Sequence, residues 1–465
     1  MSDLETIQRN DLPSGWRVVE LGNVISIIGG GTPKRNILDY WNGDIPWLTV
    51  KDFNNDLRHI DTVSESITKL GLEKSSTKIL SNGQIIISAR GTVGKLAQII
   101  KPMAFNQSCY GINGKTNFLI NDYLYYLLKF SIDGLKRISH GAVFDTITKN
   151  TFQHINSVIP PLSEQKAIAN ILGKLDDKIE LNRQINQTLE TMAQTLFKSW
   201  FVDFDPVIDN ALKAGNPIPD SLKPQANKRK AIKSTLPQAT QNLFPNRFVF
   251  NDILKKWIPE GWLVKNSENI AEISIGKTPP RKEKKWFEKK QNNLNQTWVS
   301  IKSMGNCGVF IADSNEYLTD ESIHKFNVKL VPKDTVILSF KLTIGRVAIT
   351  SKKLCTNEAI AHFSNPKFGI SSIYLFCYLK IFNYDSLGST SSIATAINSK
   401  IIKNMPILTP KKEVLDLFVI DTSDYFKKIK LTTSEIKALT KLRDILLPKL
   451  ISGKIRIKTQ KEGKV

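Results

Sequence analysis

Apolar and small residues recur between residues 162 and 204 at alternating steps of four and three: Ile168, Leu172, Leu175 and Ile179, then Leu189, Ala193 and Leu196. Asn182 and Asn186 fall on the same stripe. A 3.5-residue period predicts a helix with one apolar seam, and a buried Asn in such a seam fixes register. Ser163, Glu164 and Gln165, just after Pro160–Pro161, mark its start. A second stripe runs through Leu415, Phe418, Tyr425, Ile429, Ile436, Leu439 and Leu446, with Thr422, Thr432 and Arg443 at the remaining seam positions. Pro448 is expected to bound that helix. A helix of about 35–40 residues spans about 50–60 Å. Neither can bury its stripe alone. Leu172, Leu175, Ile179, Leu189 and Leu196 are therefore expected to pack against Leu415, Phe418, Tyr425, Ile429 and Ile436; the alternative is a helix lying on its own domain.

Away from these helices, short β-rich runs alternate with turn signals. Gln84–Ser88 (QIIIS) and Thr335–Phe340 (TVILSF) read as buried strands, and Tyr123–Phe130 and Ser372–Lys380 as helices. The same text is written twice. Pro13, Gly15, Trp16, Gly30, Thr32, Pro33 and Arg35 recur as Pro259, Gly261, Trp262, Gly276, Thr278, Pro279 and Arg281, at an offset of 259 − 13 = 246. After a five-residue insertion the offset is 298 − 47 = 251. It then aligns Trp47, Thr49 and Lys51 with Trp298, Ser300 and Lys302, and Ser88, Thr92, Gly94 and Lys95 with Ser339, Thr343, Gly345 and Arg346. Asn106–Gln107 aligns with Asn357–Glu358 in the same register. Chance does not hold one register over roughly 150 residues, so the domain is duplicated.

The expected class is α+β: two duplicated mixed α/β domains separated by two long helices packed as an antiparallel coiled coil, with pseudo-two-fold symmetry. The boundaries are residues 1–161 for the first domain, 162–204 for the first spacer helix and 205–256 for a crossover linker. The second domain takes 257–410, the second spacer helix 411–447 and a tail 448–465. The crossover, with six prolines and the cluster Lys228–Arg229–Lys230, reads as mostly irregular and solvated.

Charge narrows the function. Lys plus Arg number 65 against 43 acidic residues, a formal charge of +22. Such an excess fits a polyanionic partner, nucleic acid above all, with a basic surface kept only for solubility as the alternative. The four cysteines, Cys109, Cys307, Cys355 and Cys377, have no metal or redox spacing, which fits a reducing cytoplasm. The N-terminus lacks the apolar core of a signal peptide, and no apolar run approaches the ~18 residues of a membrane span. A cytoplasmic location without membrane contact is expected.

Three segments carry a family resemblance: Pro160–Val207 (PPLSEQKAIANILGKLDDKIELNRQINQTLETMAQTLFKSWFVDFDPV), Leu243–Trp262 (LFPNRFVFNDILKKWIPEGW) and Leu442–Ile457 (LRDILLPKLISGKIRI). With the repeated P-x-G-W and G-x-T-P elements, the chain resembles the specificity subunit of type I restriction–modification systems over nearly its whole length. The resemblance implies that each domain reads one half of a split double-stranded DNA target. The helices would set the gap and offer a surface to two modification (methyltransferase) subunits, joined by restriction/translocase subunits. S-adenosylmethionine, ATP and Mg2+ would belong to those partners, with no cofactor in this chain. A specificity subunit of a methylation-only system, a DNA-acting enzyme with an unrecognised catalytic site and a protein-only scaffold are the alternatives.

The residues offer no catalytic constellation of their own. Asp205–Pro206–Val207 and Asn365–Pro366–Lys367 both miss the Asn/Asp-Pro-Pro-aromatic motif of an amino-methyltransferase. Gly91–Lys95 is too short for a phosphate loop, and Leu96 stands where a metal-binding hydroxyl is needed. Gly29–Gly31 reads as a tight turn, and the five histidines lack metal-ligand spacing.

The repeat sorts the DNA contacts, because matched positions serve the fold or the invariant phosphates and base readers should differ. Matched cations are Arg35/Arg281, Lys51/Lys302, Arg90/Lys341 and Lys95/Arg346, with solvated surface charge as the alternative for each. Base readers are expected in the unmatched loops 34–44 and 277–296, opened by Lys34 and Lys277, and in 139–146 and 388–395. Trp16, Trp47, Trp262 and Trp298 sit at matched positions and are expected in the core rather than as stacking platforms.

Overall fold

The duplicated text folds into the same elements twice. A computed structural model describes residues 12–53, 57–138, 146–153, 155–232, 236–387 and 397–457. The chain divides into unit 1 (Met1–Arg183 with Ser434–Val465) and unit 2 (Gln184–Thr433), so both divisions fall inside the long helices. Each unit thus holds one recognition domain, half of the first long helix and half of the second.

Unit 1 contains β1 (Arg17–Glu20), β2 (Ile25–Gly29), β3 (Trp41–Leu48), β4 (His59–Ile60), β5 (Glu65–Ile67), β6 (Ile79–Leu80), β7 (Ile85–Ser88), β8 (Leu96–Ile99), β9 (Met103–Phe105), β10 (Cys109–Gly114), α1 (Asn121–Ile138) and β11 (Asn156–Ile159). The order β2-β10-β7-β8-β4 makes a five-stranded sheet, β5-β3-β9-β6 a four-stranded one, and β1 pairs with β11. Every residue of β7 is buried, as its unbroken apolar run requires. The first long helix, α2 (Leu162–Phe201), follows.

Unit 2 continues with α3 (Asp205–Ala214), α4 (Lys223–Lys230), β12 (Phe248–Asn251), β13 (Lys256–Pro259), β14 (Leu263–Asn266), β15 (Glu272–Ile275), β16 (Phe287–Glu288), β17 (Asn295–Val299), α5 (Ile301–Gly305), β18 (Phe310–Ile311), β19 (Tyr317–Thr319), β20 (Val336–Ser339), β21 (Val347–Thr350), β22 (Cys355–Thr356), β23 (Ile360–Ser364), α6 (Ser372–Ile381), β24 (Pro406–Thr409) and α7 (Lys412–Ile451). The order β15-β23-β20-β21-β18 repeats the five-stranded sheet, and β14 pairs with β24 as β1 does with β11. The register repeats too: Trp47 opposes Ala104 on a parallel strand, and Trp298 opposes Cys355.

At an offset of 250, α2 and α7 bury the same slots: Leu172/Thr422, Asp176/Phe426, Ile179/Ile429, Asn182/Thr432, Ala193/Arg443 and Phe197/Leu447. Within unit 1 the helix halves run antiparallel, with Asp176 against Arg443 and Lys178 against Glu435. Within unit 2 they do so again, with Asn186 against Thr432 and Phe197 against Phe418. Of the expected packing residues, Leu172, Ile179, Leu415, Phe418 and Ile429 are fully buried. Leu175, Leu189, Leu196, Tyr425 and Ile436 are half-buried. The buried slots beside three of them belong to Asp176, Phe197 and Phe426. Reading the seam from apolar side chains alone passed over a charged residue whose partner satisfies it.

Three other expectations change. The described residues of 205–256 are built, not irregular: α3 and α4 carry Pro206 and Pro224 in their first turns, where a missing N–H costs nothing. Arg229 ties α4 to Asp209 through two hydrogen bonds, so the basic cluster is not a solvated linker. Pro448 does not bound α7; it lies inside the last turn. Gly29–Gly31 is no turn. A Cβ on Gly30 would stand 2.1 Å from the Asn106 carbonyl oxygen, and one on matched Gly276 2.2 Å from that of Asn357. These glycines let two backbones pass in contact.

Candidate nucleic-acid interface

Each five-stranded sheet projects a hairpin tip whose shape follows from the matched residues. In unit 1, between β7 and β8, Ser88 Oγ donates to the Thr92 carbonyl and accepts the Lys95 amide at 2.8 Å, while Gly91 and Gly94 take φ of 78° and 81°. In unit 2, between β20 and β21, Ser339 Oγ donates to the Thr343 carbonyl at 2.6 Å and accepts the Arg346 amide at 3.0 Å. Gly345 takes φ of 86°. The matched serine and second glycine are thus the clamp and pivot of one loop.

These tips gather three of the four matched cation pairs. Arg90 and Lys341 are exposed on them. Lys95 Nζ reaches the Phe53 carbonyl at 3.5 Å, and Arg346 Nη1 the Ile301 carbonyl at 2.6 Å. Each therefore docks the tip on the short helix that carries exposed Lys51 (Val50–Asp52) or exposed Lys302 (α5), both capped by a hydroxyl, Thr49 or Ser300. Among the described residues none of these six cations has an ion-pair partner.

Arg35 and Arg281 stand elsewhere, against the four-stranded sheets. Arg35 makes two bonds to Glu65, at 2.5 and 3.0 Å, and lies 4.0 Å over the Trp41 ring. Arg281 makes two to Glu316, at 2.7 and 3.0 Å, and lies 4.2 Å over Phe287 and 4.4 Å over Trp298. The Arg35 hydrogen bond holds the Glu65 carboxyl below its usual range. Sequence reading missed these carboxylates, although Glu65 and Glu316 stand at the offset of 251. The matched Thr32 and Thr278 hydroxyls bond Gln107 and Glu358, which accounts for that repeated pair.

The unmatched loops divide by exposure. In unit 1, residues Arg35, Trp41, Asn42 and Asp44 line an open cleft of about 480 Å³ with Glu65 and Lys101, and Lys34 is exposed beside it. In unit 2, Lys277 and residues 281–285 are exposed, but Trp286 is buried against Phe326 and Lys325. Loops 139–145 and 388–395 lie outside the described residues; Thr146 pairs with Arg90 at the first tip. Trp16, Trp47, Trp262 and Trp298 are all buried, as expected of core residues. Among the described residues no group of His, Cys, Asp and Glu could hold a metal ion, and no helix is long and apolar enough to cross a membrane.

Two equivalent cationic tips on two copies of one module fit a protein that recognises nucleic acid. The chain belongs to the family of type I restriction–modification DNA specificity subunits: the model of the type I restriction modification DNA specificity domain matches residues 13–191 and again 259–441. It is 28% identical over 454 residues to the type I restriction enzyme MjaIX specificity subunit of Methanocaldococcus jannaschii, covering 96% of this chain and 95% of that one. It is 32% identical over 371 residues to the HindI specificity subunit of Haemophilus influenzae, covering 74% of this chain and 79% of the relative. A crystal structure of a type I restriction–modification S subunit from M. genitalium shares the fold, with a TM-score of 0.53 at 14% identity over 98% of this chain and 99% of that one. As a specificity subunit, the chain recognises a DNA target and leaves catalysis to other components.

Proposed function

We propose that each unit reads one half of a split duplex target. Lys51, Arg90 and Lys95 would hold the phosphates of one half-site, and Lys302, Lys341 and Arg346 those of the other. The carrying observation is that residues matched in sequence stand at equivalent places on two equivalent tips, without acidic partners among the described residues. Arg35 and Arg281, each already paired, support their loops instead, and Lys34 and Lys277 flank the base-reading segments. Exposed apolar residues at matched helix positions, Leu181/Leu431 and Met192/Leu442, favour a docking face for two methyltransferase subunits, with restriction/translocase subunits completing the complex. In this reading S-adenosylmethionine, ATP and Mg2+ are bound by those partners, and the complex works in the cytoplasm.

Six phosphate contacts correspond to a slope of log affinity on log salt of roughly −5. Lys51→Gln and Lys302→Gln should each lower affinity for all sequences alike and flatten that slope by about 0.9. A changed sequence preference at unchanged slope would overturn the assignment. Incubating the pure chain with DNA, Mg2+ and S-adenosylmethionine tests the enzyme alternative, in which methylated or cleaved DNA appears without partners.

A further inference from the structure

The second tip carries a residue that neither folding nor phosphate binding explains. Leu342 is 95% exposed and stands at φ 61°. Its counterpart at offset 251 is Gly91, at φ 78°. Glycine adopts this left-handed conformation freely; a leucine does so against steric strain. The chain thus places a large apolar side chain where exposure and backbone both disfavour it, although the same loop closes with glycine in unit 1. Around it are exposed Lys341 and Thr343, with Lys302 and Arg346 on the supporting helix side.

We infer that Leu342 reads DNA, making apolar contact with the 5-methyl group of a thymine in the major groove of the second half-site. The cations beside it would bring the tip to the phosphates. A tip two strands wide is admitted by the major groove, about 12 Å across, without the widening that the minor, about 6 Å, would need. The only apolar group that the major groove offers on a base edge is the thymine methyl. The tip of unit 1 has Gly91 at the corresponding position, with no side chain there to make this contact. The inference rests on the DNA-recognition reading above, and its test separates the two.

The full chain is used to select duplexes from a random-sequence library, and each thymine of the recovered second half-site is then replaced by deoxyuridine. One replacement should weaken binding by the chain about fourfold, the worth of one buried methyl. Leu342→Gly, which copies unit 1 and removes the strain, should bind the thymine and deoxyuridine duplexes equally. Its response to deoxyuridine in the first half-site should match that of the unaltered chain. A second half-site without thymine, or a methyl effect that persists in Leu342→Gly, overturns the Leu342 contact and leaves the bipartite reading standing. Failure to recover any selected duplex overturns both.

Discussion

Replacing Arg443 while keeping Asp176 tests what holds the helix halves of unit 1 together. Arg443 Nη1 lies 2.6 Å from Asp176 Oδ1, and Tyr126 Oη donates to Oδ2 at 2.6 Å. The Asp176 side chain is 6% exposed and that of Arg443 11%. Burial works against the guanidinium charge, yet the carboxylate beside it holds Arg443 above its ordinary pKa. Asp444 also contacts Arg443 but is 55% exposed and contributes little. Removing one member of a buried pair leaves an uncompensated charge and costs about 3–5 kcal/mol; replacing both by apolar residues of similar volume is often neutral. Unit 2 already contains an apolar solution at the matched slots, where Phe426 and Ala193 lie in the core and Phe426 packs on Phe376, while Cys377 stands in place of Tyr126. Arg443→Met should therefore lower the transition in which unit 1 unfolds by roughly 6–20 °C. Asp176→Leu combined with Arg443→Met should recover most of that loss. Differential scanning calorimetry of the full chain reads both. Equal losses in the single and double variants would refute the reasoning, because packing of the two stems, not charge compensation, would then carry the stability.

Two further outcomes follow from buried polar groups. Asn182 is 1% exposed with neither amide atom hydrogen-bonded, because Ile436 occupies the slot whose counterpart, Asn186, bonds Thr432. Asn182→Leu should stabilise the chain by about 1–3 kcal/mol in urea unfolding, and a loss would show that an ordered water satisfies the amide. His362, held between Ser274 and Thr356, is pushed by burial down to about 4 from 6.5. Its folded form resists protonation, so its stability contribution is complete above pH 6.5 and is lost as pH falls towards 4, by about 3 kcal/mol in all. His362→Asn should flatten the acid limb of unfolding free energy between pH 6.5 and 4; an unchanged limb would assign it to other groups.

The duplication and the long helices were legible because they are periodic signals that survive averaging over many residues. The seam was harder. Periodicity is read from apolar side chains, and this seam buries Asp176 and Arg443, whose compatibility depends on a partner 267 positions away. The crossover was hidden by its prolines, which mark loops in general but open helices at Pro206 and Pro224. At the interface the cations were legible and their sorting was not. Nothing local to Arg35 reveals Glu65, thirty positions on, and nothing local to Leu342 reveals that its loop turns through a left-handed residue.

Exposure completes what the repeat begins. A matched residue is kept by the fold or by the ligand, and sequence alone merges the two. Trp47/Trp298 and Gly30/Gly276 are matched and buried, so close packing explains them. Arg35/Arg281 are matched and half-exposed, but a carboxylate and an aromatic face already satisfy each guanidinium. Lys51/Lys302 and Arg90/Lys341 are matched, exposed and without an acidic partner among the described residues, so no internal contact accounts for them. In the proposed reading an external anion that is the same at both heads does, since the phosphate backbone is the part of a DNA target that stays constant when the bases differ. Leu342 is the converse: exposed, strained and unmatched, it belongs to what one head reads and the other does not.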